Sequence, residues 1–105
     1  LIDRKEQETR LYEMLSNEAK QKTNLEDIST EAYLLAKDEI DFLKLDLRGP
    51  LPDWVMVYFY GFGKYTGFIM LDAKQEHVLL LGVLNEKDEI LRTEIFENQD
   101  KGAEK

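Results

Sequence analysis

Cysteine is missing from all 105 residues, which excludes disulfide bridges, thiol nucleophiles and thiolate zinc sites. Histidine occurs once, as His77, and serine twice, as Ser16 and Ser29. A Ser-His-acid triad would have to carry one of those serines from the N-terminal half to His77, and no nucleophile-elbow pattern supports that. His77 beside Asp72 or Glu76 is a conceivable metal ligand set, but a lone histidine at a strand end reads first as a surface residue. No apolar run approaches the ~18–20 residues a membrane helix needs. No signal-peptide pattern opens the chain, which starts on Leu1 rather than Met and so reads as a processed product or a piece of something longer. The compartment stays open, with the cytoplasm favoured over an extracytoplasmic space.

An excess of positive charge is missing too. Twenty-two acids against fourteen bases give a net charge of −8, shared equally between residues 1–48 (12 acids, 8 bases) and residues 49–105 (10 acids, 6 bases). Attraction to nucleic-acid phosphates or to anionic lipid is therefore disfavoured. The bland reading of this charge is solubility. The sharper one is a basic protein partner.

What is present describes a globular chain: 43% hydrophobic and 34% charged residues. The expected class is α+β, a single domain over residues 1–98 with two N-terminal helices followed by a four-stranded antiparallel meander. Residues 1–22 lack Gly and Pro and read as a solvated helix with a thin stripe at Leu11, Met14, Leu15 and Ala19. Residues 29–47 read as the packing helix, because Tyr33, Ala36, Ile40, Leu43 and Leu47 recur at steps of three and four. Ser29 or Thr30 offers a cap, and Gly49-Pro50 a stop. The alternation of Leu43, Leu45 and Leu47 leaves a short strand at 43–48 as an alternative.

From Trp54 the period becomes two. Runs at 54–60, 66–72, 77–84 and 89–96 are separated by short connections, which join antiparallel neighbours. The sheet is thus placed at 54–96, with a flexible polar tail at 99–105. Several strands are apolar on both faces. Trp54, Met56, Tyr58 and Tyr60 oppose Val55, Val57 and Phe59, while Val78, Leu80 and Leu84 oppose Leu79, Leu81 and Val83. One helix covers one face; the first helix, a second copy of the chain or a foreign partner must shield the other.

The glycine-rich segment from Tyr60 to Gly67 fails as a phosphate loop. Lys64 has no glycine five residues earlier, and a strand rather than a helix follows. Hairpin geometry accounts for Gly61 and Gly63, and Gly67 marks a bulge or close packing. Lys64, Gly67 and Phe68 superficially resemble the RNP1 pattern of RNA-recognition domains. The remaining aromatic positions fail and the element order differs, so no nucleic-acid partner is expected.

No catalytic, cofactor-binding or metal-binding residue is assigned. The expected role is a non-enzymatic protein-interaction domain, in its most specific form a small acidic inhibitor or immunity-type protein. Trp54, Tyr58, Tyr60, Phe62 and Tyr65 are the candidate contact residues for a protein partner or for self-association as a homodimer. The competing reading for these residues is core beneath the first helix. No direct membrane contact is expected of this segment. The alternative role is structural, a soluble domain of a membrane-anchored or assembly protein with the first helix as its stalk.

Overall fold

The computed structural model describes residues 4–39 and 52–95. One helix, α1 (Arg4–Ala19), precedes a short 3-10 turn and five strands: β1 (Ser29–Ala36), β2 (Trp54–Phe62), β3 (Tyr65–Asp72), β4 (Val78–Leu84) and β5 (Ile90–Ile95). The strands form one antiparallel sheet in the order β1-β2-β3-β4-β5. The α+β class and the meander are as the period-two runs require; the helix and strand numbers differ from expectation.

The difference lies in residues 29–36, which form a strand rather than the start of a packing helix. All eight pair with β2 in unbroken register, from Ser29 opposite Gly61 to Ala36 opposite Trp54. Within this stretch the helical pattern rested on Tyr33 and Ala36, widened by Leu35. A ladder on a strongly β-forming partner outweighs so weak a local preference. The rest of that reading (Ile40, Leu43, Leu47, the alternative strand 43–48 and Gly49-Pro50) lies outside the described residues, as does the polar tail 99–105.

α1 is the packing helix. Its thin stripe suffices because the sheet beneath it is broadly apolar: Leu11 and Leu15 are fully buried and Met14 nearly so. Each such side chain contributes about 1.5–3 kcal/mol relative to exposure. The helix lies over β3 and β4, and Arg10 ties it to β5 through hydrogen bonds to the Glu94 carboxylate. It ends without glycine. Lys20 takes a left-handed conformation (φ 58°), the Gln21 N–H reaches the Ser16 carbonyl at 3.2 Å, and the Thr23 N–H reaches Ser16 Oγ at 2.9 Å. These bonds satisfy groups at the helix terminus that would otherwise lack partners.

Two turn details set the register. The β2–β3 hairpin closes on two residues, with Gly63 at φ 61° in the first central position, where a type II′ turn calls for glycine. Between β3 and β4 the register shifts: Met70 lies opposite Leu80 but Leu71 opposite Val78, so Leu79 is the extra residue. The shift moves Val78 to the α1 side with Leu81 and Val83, away from the Leu80 and Leu84 it was grouped with by strict alternation.

The core therefore has two layers, one on each face of the sheet. Leu11, Met14, Leu15, Tyr60, Phe62, Ile69, Leu71, Val78, Leu81 and Val83 fill the α1 side. Val55, Val57, Phe68, Met70, Leu80 and Leu84 fill the other. Among the described residues no helix lies over this second layer.

Candidate functional site

The helix covers only part of its face. With α1 seated over β3 and β4, no helix among the described residues lies over β1 or over the Trp54–Met56 end of β2. Tyr58 and Tyr60 meet α1, so period-two geometry puts Trp54 and Met56 on that face as well. Their cross-strand partners are Ala36 and Leu34, and Ala32 lies opposite Tyr58. The result is a shelf of Ala32, Leu34, Ala36, Trp54 and Met56. Leu34 is 52% exposed and Trp54 51%, an unusual fate for two large apolar side chains at diagonal positions of one sheet face.

The outer rim of the shelf is the backbone of β1. The Lys37 N–H bonds to the Asp53 carbonyl at 2.9 Å, continuing the β1–β2 ladder. Odd-numbered β1 residues therefore exchange hydrogen bonds with β2, and even-numbered ones direct theirs away from it. The Ala36 N–H confirms the parity: its partner is the Glu39 carboxylate, at 2.8 Å. Among the described residues, the N–H and C=O groups of Thr30, Ala32 and Leu34 have no strand beside them. Of the usual guards of an open edge, β1 itself carries only one charged residue, Glu31. Ser29–Ala36 contains no proline and no lysine, and its register with β2 is unbroken. The opposite edge strand, β5, carries Arg92 and Glu94 and follows a register shift at Val83/Leu84.

Negative charge surrounds this edge. From Leu25 to Glu39 there are five acids (Glu26, Asp27, Glu31, Asp38, Glu39) and one base, Lys37, which is itself 3.5 Å from Asp53. On the far face Tyr33 is 46% exposed, packs against Phe59 and donates its hydroxyl to Glu31 at 2.9 Å.

The five expected contact residues separate by position. Trp54 is exposed on the shelf. Tyr58 is half-buried beside it, held by Arg4 stacked 4.1 Å above its ring and by a 2.6 Å hydrogen bond to Gln75. Tyr60 and Phe62 are core residues under α1. The Tyr60 hydroxyl donates to Glu8 at 2.5 Å, and Tyr12 meets its ring edge-on at 5.9 Å. Burial and the Glu8 bond push the Tyr60 hydroxyl far above the usual phenol range. Tyr65 is half-buried against the same core. Phe62 and Tyr65 are the last and first residues of β2 and β3 rather than part of the turn. Leu34 and the β1 edge were not among the expected residues, because reading 29–47 as a helix left out the ladder to β2 that places them.

Two other clusters are modest. Asp72, Glu76 and His77 hold their ligand atoms within 4.8 Å of one another, but Asp72 Oδ1 accepts the backbone N–H groups of Glu76 and His77 (2.8 and 3.1 Å), so the hairpin itself gathers them. A cleft of about 150 Å³ lies between the β2–β3 and β4–β5 turns, lined by Lys64, Tyr65, Asn85, Glu86, Lys87 and Glu89. It is smaller than the ~300–1,000 Å³ of ordinary small-molecule sites.

No protein-family model, curated protein or solved structure matches the chain.

Proposed function

We propose that this chain is a non-enzymatic protein-interaction domain whose contact surface is the open β1–β2 shelf. The observation that carries the reading is that Trp54 and Leu34, diagonal neighbours across the β1–β2 ladder, are both half-exposed on a sheet face whose other half α1 covers. Tryptophan at such a position combines a large apolar area with an indole N–H, the combination enriched at interface centres. The acidic surroundings favour a basic partner, as in a small inhibitor that covers a basic surface on its target.

A photo-crosslinking residue at position 54, expressed in the native host, tests this. It should give a discrete adduct heavier than the 12.3 kDa chain, and the same probe at exposed Lys74 should not. Leu34→Ser should abolish the adduct while leaving the melting temperature within a few degrees of wild type. Equal labelling from positions 54 and 74 would overturn the proposal. So would unfolding of the Leu34→Ser variant, because the shelf would then be structural.

A further inference from the structure

We infer that the outer edge of β1, which has no strand beside it among the described residues, takes an extended basic segment of another protein as a sixth strand of the sheet, an inference that rests on the interaction reading above and specifies its partner. Three observations converge. First, Thr30, Ala32 and Leu34 present outward-directed N–H and C=O groups in regular alternation, with no bulge, proline or lysine to interrupt them. Such a row is a template for strand addition, in which main-chain hydrogen bonds supply affinity. At its end Glu39 already occupies the Ala36 N–H, which limits the open stretch to Thr30–Leu34.

Second, alternate side chains of an added strand would project over the shelf, beside Leu34 and in line with Trp54, where apolar groups gain most. The others would project toward the Tyr33 and Glu31 side. Specificity in strand addition comes from such alternate pockets.

Third, charge decides between a foreign segment and a second copy. Joining two chains edge to edge would bring together two molecules of net charge −8, with Glu26, Asp27, Glu31, Asp38 and Glu39 of both near the seam. A segment carrying lysine or arginine at alternate positions meets that field with the opposite sign, which raises both affinity and encounter rate.

The probe is a synthetic decapeptide of alternating valine and lysine. It is compared with a valine–glutamate counterpart and with the valine–lysine peptide N-methylated at every amide, which keeps charge and side chains but removes the donors. The valine–lysine peptide should bind at least tenfold more tightly than either control. It should slow hydrogen exchange at Thr30, Ala32 and Leu34 and leave β5 unchanged. Ala32→Pro removes one outward N–H without touching the ladder to β2, as an edge position allows. It should weaken peptide binding tenfold or more while the Glu31, Tyr33 and Leu35 amides stay slow.

Equal binding of the N-methylated peptide would overturn the inference in favour of plain charge attraction, as would protection at β5 or no binding at all. A dimeric mass with Thr30, Ala32 and Leu34 protected before any peptide is added would overturn it in favour of a second copy. If Ala32→Pro unfolds, the N-methylated comparison decides alone. The cross-link at position 54 does not depend on how the partner's backbone pairs, so it can succeed where this inference fails.

Discussion

Tyr60 and Trp54 leave the same face of β2 and meet opposite surroundings, one sealed under α1 and the other in solvent. That both face one way was legible in the alternation from Trp54 to Tyr60. Which of them the helix covers was not, because it depends on where α1 docks. The burial of Tyr60 has a measurable consequence. Its hydroxyl stays protonated in the folded state well above the ~10 at which an unfolded tyrosine ionises. Above that pH the unfolded chain has lost the proton and the folded chain retains it. The contribution of this residue to stability is therefore complete below about pH 10 and declines as pH rises further. Tyr12, also raised by burial, acts in the same direction. Urea midpoints measured between about pH 8 and about pH 11 should fall less steeply for Tyr60→Phe than for wild type. Parallel slopes would show that other groups govern the alkaline limit.

At the scale of elements, the instructive case is β1. Nothing local commits Ser29–Ala36 to a strand: Leu34-Leu35 breaks the alternation and Ala32 and Ala36 suit a helix. The strand exists because β2 offers eight register partners. The other four strands were legible to within a residue or two, since turns at Gly63, at Gln75 (φ 60°) and at Asp88 (φ 63°) punctuate them. Gly67 shows what a glycine within a strand can mean. A Cβ there would lie 2.9 Å from Leu11 Cδ2, so the residue marks the close approach of α1 to β3. Gly67→Ala should cost about 1–3 kcal/mol by overpacking. Combined with Leu11→Ala, which vacates that space, it should cost less than the sum of the two single changes. Chemical denaturation of the four proteins checks this, and strict additivity would mean that the helix shifts freely rather than docking against Gly67.

For the whole molecule, the balance to consider is a β1 edge with no strand beside it among the described residues against a net charge of −8. Unguarded edges invite pairing between copies, and like charge opposes it. The protein should therefore scatter light as a monomer near neutral pH at low salt. It should associate as pH falls toward the isoelectric point near 4.6 or as added salt screens the carboxylates. Glu31→Gln with Glu39→Gln should shift that onset to higher pH, because both changes remove negative charge beside the edge without adding a lysine that would guard it. A mass constant across the whole series would show that charge is not what keeps the edge unpaired.

Some properties needed only the order of residues. Period-two apolarity from Trp54 onward demanded a sheet, short connections made it an antiparallel meander, and absent cysteines together with surplus carboxylates bounded its chemistry. These are local or summed quantities, so a linear reading captures them. The tertiary structure decided three others: that residues 29–36 add a fifth strand, that α1 sits over β3 and β4, and that Val78 changes face at a register shift. Each depends on contacts between residues distant in the chain, where pairing and docking outweigh local preference. The exposed shelf follows from the first two, which is why Trp54 could be named from the sequence while Leu34 and the β1 edge could not.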